Sequence, residues 1–344
     1  MQPYKSSQPW SSSRRAFLGS IKTALYRRPK DELMRLRRWG PRAYLRCGAW
    51  AAEMELAATQ LPPLPAGSPD AGRALEVWYL TGDRFWYQTA FCAWSLAFHC
   101  QRKLVLHMVD DGTLTIEQEQ QLRRLFPHGM TRWKQDVASE LDRHLPVARF
   151  PVLRQRWGDY INIRKLTDIH LGSIGTKLVL DSDMLFFSRP DELLTWWENP
   201  TQPCLMTDCE ESYGFSRQLM EELAGAPIPP LLNVGICGLA SEWIDWEELE
   251  HWCRTLVERE GTSYYLEQAL VAMLAARRQP VVMPASDYIT FPTRQQALAG
   301  DGVLQHYVAD SKPWYLGEAW KLILHSPIIS PHDPQEYPPR RRPT

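Results

Sequence analysis

The sequence has neither the long hydrophobic runs of a membrane-spanning protein nor the cysteine pairs of a disulfide-stabilised one. No stretch of its 344 residues approaches the roughly 18 consecutive apolar residues that a transmembrane helix needs. Its seven cysteines are an odd number and contain no C-x-x-C pair, which argues against a disulfide framework and against a thiolate metal site. We therefore expect a cytoplasmic protein whose contact with a membrane, if it has one, is peripheral.

The chain also lacks an internal repeat and a complete export signal. The stretch SSSRRAFLGS (11–20) imitates a twin-arginine signal, but Lys22 interrupts the apolar run that follows Arg15, and no A-x-A cleavage site comes after it. With 44% apolar residues, the chain is instead able to bury a large globular core.

Acidic residues are scarce at the amino end. Residues 1–46 contain twelve lysines and arginines and two acids, a net charge of +10, so the rest of the chain carries −11 within a total of −1. This basic region has two interpretations. It binds an acidic partner or anionic lipid at the inner face of the membrane, or it is a solvated basic helix that caps the main domain. We predict no nucleic-acid partner.

Proline and glycine divide the chain into four predicted regions. Residues 1–60 form a basic, partly helical region, and a linker rich in proline and glycine follows at residues 61–73. The main domain is predicted at residues 74–325. Residues 326–344 are predicted to be a disordered tail, since the final stretch SPHDPQEYPPRRRPT has five prolines and no periodic apolar residue.

Strands and helices alternate along the predicted main domain, which indicates an α/β fold around a mostly parallel sheet flanked by helices. Such sheets bind ligands beyond the carboxyl ends of their strands. The predicted strands are EVWYLT (76–81), KLVLHMV (103–109) and TKLVLD (176–181), and the predicted helices are 85–100, 115–126, 131–145 and 160–172.

Two acids, Asp181 and Asp183, come directly after the third of these strands, in KLVLDSDMLFF (177–187). Residues two apart on an extended chain point to the same side, so the two carboxylates repel each other unless a cation neutralises them. A hard divalent ion such as Mg²⁺ or Mn²⁺ would do so and would bridge the protein to phosphates. Alternatively, one acid caps a turn before the helix that SRPD (188–191) predicts.

Five motifs follow one another along residues 75–321. They are EVWYLTGDRFWYQTAFCAWSL (76–96), INIRKLTDIHLGSIGTKLVLDSDMLFF (161–187), LLNVGICGL (231–239), YYLEQALVAML (264–274) and HYVADSKPW (306–314). Together they resemble the GT-A fold glycosyltransferases of family 8, the glycogenin-like and galactosyltransferase-like enzymes, and the order of the motifs and the H-x5-K-P-W spacing are the specific part. The resemblance implies a Rossmann-like GT-A fold and the transfer of a hexose, with retention, from a UDP-sugar to a glycan, lipid or protein acceptor that the sequence does not identify.

The resemblance also implies a role for each matching residue. The metal, Mn²⁺ or Mg²⁺, would be held by Asp181, Asp183 and His306, because a neutral imidazole can complete a carboxylate site. Lys312 would place a point charge on the diphosphate. The residues implied in catalysis are Glu267, Gln268 and Lys312. The residues implied in donor binding are Leu80, Thr81, Asp83, Lys165, Ser182, Asn233 and Lys312.

Ordinary structural roles remain open for several of these positions. Lys165 is equally explained as an exposed helix lysine, Asn233 as a turn residue and Glu267 as an acid favoured in the first turn of a helix. Trp86, a candidate stacking partner for the base, is equally explained as core. The chain also departs from the family at Glu267, where aspartate is common, and at Ala309, where glycine is common.

Two alternative functions remain open. Haloacid-dehalogenase-like phosphatases also place D-x-D after a hydrophobic strand, but they have Thr or Val where this chain has Met184, and their motif belongs to the opening strand. A metal-dependent phosphatase or nucleotidyltransferase is therefore the first alternative. The second is an inactive GT-A-like module that binds sugars or partners. Residues 207–227, with acids and Tyr213, are the candidate acceptor loop.

Overall fold

A computed structural model of the protein describes residues 28–64 and 72–324, with side chains described from Leu36 onward. The twin-arginine-like stretch, residues 65–71 of the predicted linker and the predicted tail at residues 326–344 lie outside the described residues. The division of the chain into four regions therefore stays a prediction.

The described residues form ten strands in two sheets. The strands are β1 (Leu75–Thr81), β2 (Leu104–Asp110), β3 (Met130–Arg132), β4 (Thr176–Leu180), β5 (Met184–Phe186), β6 (Cys204–Thr207), β7 (Leu232–Ala240), β8 (Val281–Val282), β9 (Tyr288–Thr290) and β10 (Leu304–His306). The central sheet has the order β3-β2-β1-β4-β7-β6-β8, and the small sheet has the order β5-β10-β9. In the central sheet only β7 runs against its neighbours, so six strands point the same way.

Helices cover both faces of the central sheet because its strands are apolar on both sides. In β1, Leu75, Val77 and Tyr79 are buried in one hydrophobic cluster, while Trp78 and Leu80 pack against a second cluster. This alternation assigns one cluster to each face of the sheet. The predicted fold class, an α/β domain with a mostly parallel mixed sheet flanked by helices, is confirmed.

Thirteen helices are described around these sheets, and their starts follow ordinary capping chemistry. Thr115 begins α3 with a capping box that it forms with Gln118, and Asp245 caps α9 by accepting two backbone N–H bonds. The helices are α1 (Arg28–Thr59), α2 (Trp86–Cys100), α3 (Ile116–Leu125), α4 (Lys134–His144), α5 (Pro151–Asp159), α6 (Arg164–His170), α7 (Asp191–Glu198), α8 (Arg217–Ala224), α9 (Trp246–Glu260), α10 (Leu266–Ala276), α11 (Arg294–Ala299), α12 (Lys312–Trp314) and α13 (Trp320–Leu324).

Two of the predicted helices differ from the structure at their starts. The predicted helix at residues 131–145 is wrong at its first residues, because Thr131 and Arg132 pair with β2 as part of β3. Only from Lys134 onward is the segment helical. The predicted helix at residues 160–172 begins with a 3₁₀ turn and becomes α-helical at Arg164. In both places, contacts with distant segments decide the backbone conformation.

Helix α1 consists of two segments that meet at Gly40, where φ is 79° and ψ is 158°. The second segment packs firmly on the domain. Met54 and Ala58 are fully buried, and the indole N–H of Trp86 donates a 2.8 Å hydrogen bond to Glu55. None of the helices in the described ranges is long and apolar enough to span a bilayer.

The antiparallel direction of β7 brings its beginning to the sheet edge at which the parallel strands end. There the backbone N–H of Asp181, which follows β4, donates a 2.9 Å hydrogen bond to the carbonyl of Gly235. The small sheet meets the same edge, since His306 at the end of β10 pairs with Met184. Residues distant in sequence therefore converge beside the two acids.

Candidate active site

The side chains of Asp181, Asp183 and His306 form one cluster. One ligand atom from each of the three lies within 4.8 Å of those of the others. His306 Nε2 is 3.3 Å from Asp183 Oδ1 and 3.7 Å from Asp181 Oδ2. The backbone holds this geometry, because the Tyr307 N–H donates a 2.9 Å bond to the Asp183 carbonyl. Two carboxylate oxygens and one imidazole nitrogen form a donor set that suits Mn²⁺ or Mg²⁺.

The hydrogen bonds of His306 leave its Nε2 free to act as a ligand. Its Nδ1 lies 3.1 Å from the Asn233 side-chain oxygen, which also accepts a 2.9 Å bond from the Gly235 N–H. An amide oxygen only accepts, so Nδ1 donates to it and Nε2 is the ring nitrogen that faces the two acids. A Cβ at position 235 would lie 2.6 Å from Nδ1, so this site requires glycine there.

A lysine contacts each of the two acids. The Lys312 ammonium pairs with Asp183 and the Lys165 ammonium pairs with Asp181. Burial would raise the pKa of the Asp183 carboxyl, but Lys312 and His306 outweigh burial and hold that pKa well below its ordinary value. Burial would likewise lower the pKa of Lys165, but Asp181 and then Glu267 raise that pKa above its ordinary value. Asp183 and Lys165 are therefore charged at neutral pH.

Glu267 lies on the side of the cluster occupied by Lys165. Its carboxylate is 3.8 Å from Lys165 Nζ, and the residue is 3% exposed. Burial, the largest cause, raises the pKa of Glu267 to about 7; Lys165 lowers this pKa and Asp181 raises it. Glu267 therefore exchanges its proton near neutral pH.

Asp208 joins this site, and sequence analysis placed it only among the acids of the candidate acceptor loop, without a role of its own. Its Oδ2 accepts hydrogen bonds from Asn233 Nδ2 at 3.1 Å and from Gln268 Nε2 at 3.2 Å. Asp208 is therefore the acid that orients both amides. It directly follows the buried strand β6, the same strand-then-acid pattern that identified Asp181, and that signal could have found it. The next residue, Cys209, is exposed and donates its backbone N–H to Asp208 Oδ1 at 2.8 Å.

Ser182 and Thr81, predicted to bind the donor, point into a buried hydroxyl chain. Thr89 on α2 lies 2.9 Å from the Ser182 hydroxyl and 2.9 Å from the Thr81 hydroxyl. Leu80 is half-buried against the second hydrophobic cluster. Asp83 is exposed and accepts a bond from Gln118 on α3 at 2.8 Å. Among the described contacts, none joins Leu80 or Asp83 to the acids.

Two other candidate residues lie in the core. Trp86 is 3% exposed and its N–H is bonded to Glu55, so the packing interpretation agrees with the structure and the stacking one does not. Tyr213, predicted to contact sugar hydroxyls from the acceptor loop, is 1% exposed. Its hydroxyl donates to the Pro229 carbonyl and accepts from the Leu232 N–H, so it has no place for a sugar.

The backbone before Lys312 contains a residue in the left-handed region, which glycine adopts more readily than other residues. Ala309 has φ 45°, within the left-handed region, and it is exposed. The loop adopts this conformation with alanine, at an energetic cost that glycine would not carry.

Comparison with known proteins gives similarity at the level of solved structures only. No protein-family model and no curated protein matches the sequence. Mouse xyloside xylosyltransferase 1 is 15% identical, with a TM-score of 0.46 over 70% of this chain and 99% of that chain. The galactosyltransferase LgtC is 14% identical, with a TM-score of 0.45 over 68% and 87%.

The glycosyltransferase GlyE of Streptococcus pneumoniae TIGR4 is 14% identical, with a TM-score of 0.46 over 74% of this chain and 62% of that chain. At identities and TM-scores this low, the likenesses do not determine the function of this chain. Its own side chains have to carry the argument.

Proposed function

We propose that the protein is a metal-dependent GT-A glycosyltransferase that moves a hexose from a UDP-sugar to an acceptor, with retention. One observation carries the proposal: Asp181, Asp183 and His306 converge within 4.8 Å at the carboxyl edge of the sheet, with a lysine against each acid. A cluster of this charge and ligand type is suited to a divalent ion that bridges protein and diphosphate. Retention and the identity of the sugar rest on the motif resemblance.

In this proposal the chain works mainly by electrostatics. Asp181, Asp183 and His306 would hold Mn²⁺ or Mg²⁺, and a bound ion would supply Lewis-acid stabilisation of the leaving diphosphate. Lys312, now against Asp183, would meet the diphosphate as its negative charge grows. The contact of Nδ1 with Asn233 orients the imidazole so that Nε2 would be the nitrogen that binds the ion, which lowers the cost of assembling the site.

The sugar would lie on the side of Lys165. There Lys165, Asn233 and Gln268 present buried polar groups, and Glu267 lies within 3.8 Å of the Lys165 ammonium. We assign Glu267 and Gln268 to the neighbourhood of the anomeric carbon, where they would orient the donor. Asp208 acts through the two amides as a positioning residue.

The nucleoside would lie over the end of β1, beside Leu80, Thr81 and Asp83. Thr81 and Ser182 would act there through their backbones, since both hydroxyls are used in the buried chain to Thr89. A cytoplasmic location is part of the proposal because of the cysteine content of the sequence.

Titration calorimetry with UDP, with and without Mn²⁺, tests the proposal. A transferase of this kind should bind UDP only when the ion is present, and a screen of UDP-sugar hydrolysis would then identify the donor. If UDP does not bind in the presence of Mn²⁺, a phosphatase, a nucleotidyltransferase or an inactive module replaces this proposal. Release of phosphate from a phosphomonoester would identify the first of these.

A further inference from the structure

The exposed face of α1 carries a stripe of side chains that the proposed transferase does not use. In the segment after Gly40, exposed residues recur every three or four positions and so share one side of the helix. Leu45 is 77% exposed and Leu56 is 62% exposed. The α1 stripe consists of Arg42, Leu45, Arg46, Ala49, Ala52, Glu53 and Leu56.

The charge around the α1 stripe is positive. The acid within it, Glu53, is 2.6 Å from the Lys321 ammonium, so it does not offset the arginines. The 27 residues before α1 add five lysines and arginines and no acid to the sequence. The exposed arginines within and just before the stripe are Arg37, Arg38, Arg42 and Arg46.

We propose that the α1 stripe docks on an anionic lipid bilayer. Exposed leucines on one helix face, with arginines beside them, match a surface that is apolar below and negatively charged at its headgroups. Residues 325–344 of this chain do not complement the charge of the α1 stripe, because they carry three arginines and two acids. An acidic protein or a second copy would explain the charges, but neither requires the two leucines.

Helix α1 packs beside the segment that contains and follows the loop before Lys312, which we call the lysine loop. The Trp50 ring lies 3.4 Å from a Cβ placed at Gly317, and Arg38 is 4.0 Å from Asp310 in the lysine loop. Glu53 of the α1 stripe pairs with Lys321 in the same segment, so a docked bilayer would lie beside it.

Co-sedimentation of the full chain with vesicles tests the docking. The vesicles are phosphatidylcholine alone or phosphatidylcholine with about one-third phosphatidylglycerol, a typical anionic surface. The stripe variant changes Arg37, Arg42 and Arg46 to glutamine and leaves Arg38, which contacts the lysine loop. The matched control makes the same change at three exposed arginines elsewhere: Arg143, Arg149 and Arg259.

We expect wild type and control to sediment with anionic vesicles and not with neutral ones. The partition coefficient of the stripe variant should fall about 100-fold, because three arginines are removed and each one near the surface contributes a factor of about five. In high salt, where charges are screened, Leu45→Ser with Leu56→Ser should remove most of the remaining binding. Circular dichroism confirms that each variant is folded.

Equal losses in the stripe variant and the control would overturn the proposal, as would failure of the wild type to sediment. If the stripe variant instead changes self-association in analytical ultracentrifugation without vesicles, the stripe is an interface between copies. Calorimetry of UDP binding is measured separately for every variant. Failure of docking with intact UDP binding leaves the proposed transferase standing, and the converse leaves the docking surface standing.

Discussion

The two lysine–aspartate pairs of the site are held in different ways. Lys165 comes from α6, and its side chain is 12% exposed, beside Asp181 at the end of β4. Lys312 is 27% exposed and follows a short loop that contains Ala309 at φ 45°. Lys165 is thus held by packed secondary structure and Lys312 by a strained loop. In the proposed transferase, Lys165 would lie on the sugar side and Lys312 on the diphosphate side. This difference suits a site in which the donor is held still while a charged product must leave.

The largest expected effect comes from Asp183, which belongs both to the candidate metal cluster and to the ion pair with Lys312. Asp183→Asn should lower metal-dependent turnover about 1000-fold, or about 4 kcal/mol, because an amide neither attracts the ion nor pairs with Lys312. Asp136→Asn, an exposed acid on α4, is the control and should have no effect. Unchanged turnover of Asp183→Asn at saturating UDP-sugar would remove the metal assignment.

On the side of Lys165, Glu267 should make the free energy of unfolding depend on pH. The pKa of Glu267 is raised from 4.5 to about 7, so folding favours its protonated form. Its contribution to stability is present below pH 4.5 and is lost as the pH rises through 7. Relative to Glu267→Gln, the wild type should lose up to about 3 kcal/mol of unfolding free energy over that range.

The measurement is urea unfolding with a chelator present, at several pH values. Glu258→Gln, at an exposed position on α9, should differ from wild type by the same amount at every pH. If the Glu267→Gln difference is equally flat, the pKa of Glu267 is the same in the folded and unfolded states, and the site is more polar than its burial indicates.

In the Lys312–Asp183 pair, the lysine should stabilise the transition state more than it stabilises bound UDP. Lys312→Ala should lower kcat about 100-fold, or about 2.7 kcal/mol, and weaken UDP binding by less. Lys312→Arg should restore only part of the lost kcat, since a planar guanidinium does not replace a compact ammonium. His306→Ala should act through the ion, so its defect should shrink at high Mn²⁺.

Steady-state kinetics over a range of Mn²⁺ concentrations separate these effects. Lys103→Ala, at an exposed lysine, is the control and should behave as wild type. A Lys312→Ala enzyme with near-normal kcat and a raised KM would mean that the lysine only binds substrate.

The smallest effect tests the strain in the loop itself. Ala309→Gly should raise the free energy of unfolding by about 1 kcal/mol, because glycine has no penalty at positive φ. Ala148→Gly is the control: it is exposed in a turn, its φ is not positive, and the change should lower stability by about 0.5 kcal/mol. Thermal unfolding of both variants decides, and equal destabilisation would show that the loop stores no strain.

The parts of the fold that sequence analysis predicted are those with a local signal. The buried runs of β1, β2 and β4 are long and apolar, so their character as strands shows in the sequence. β3, β5, β9 and β10 have three residues each, and their conformation comes from pairing with distant strands. No window of local sequence contains that information.

The site residues also divide into those with a local sequence signal and those whose position depends on distant partners. Asp181 and Asp183 share a period-two pattern after one strand, which local reasoning finds. Asp208 depends on partners 25 and 60 residues away, Asn233 and Gln268, so its position among them becomes visible only in the fold. Trp86 shows the opposite problem, since an aromatic near a binding turn looks the same in sequence whether it stacks or packs.

Cys209 gives this protein a native attachment point for a fluorophore. Of the seven cysteines it is the exposed one, and its neighbour Asp208 belongs to the buried network of amides. Burial and then Asp208 raise the pKa of its thiol, so a maleimide dye would couple selectively but best under mildly alkaline conditions. Emission from a dye there would respond in real time to a ligand that binds beside the Asp208 network, without a substitution in the chain.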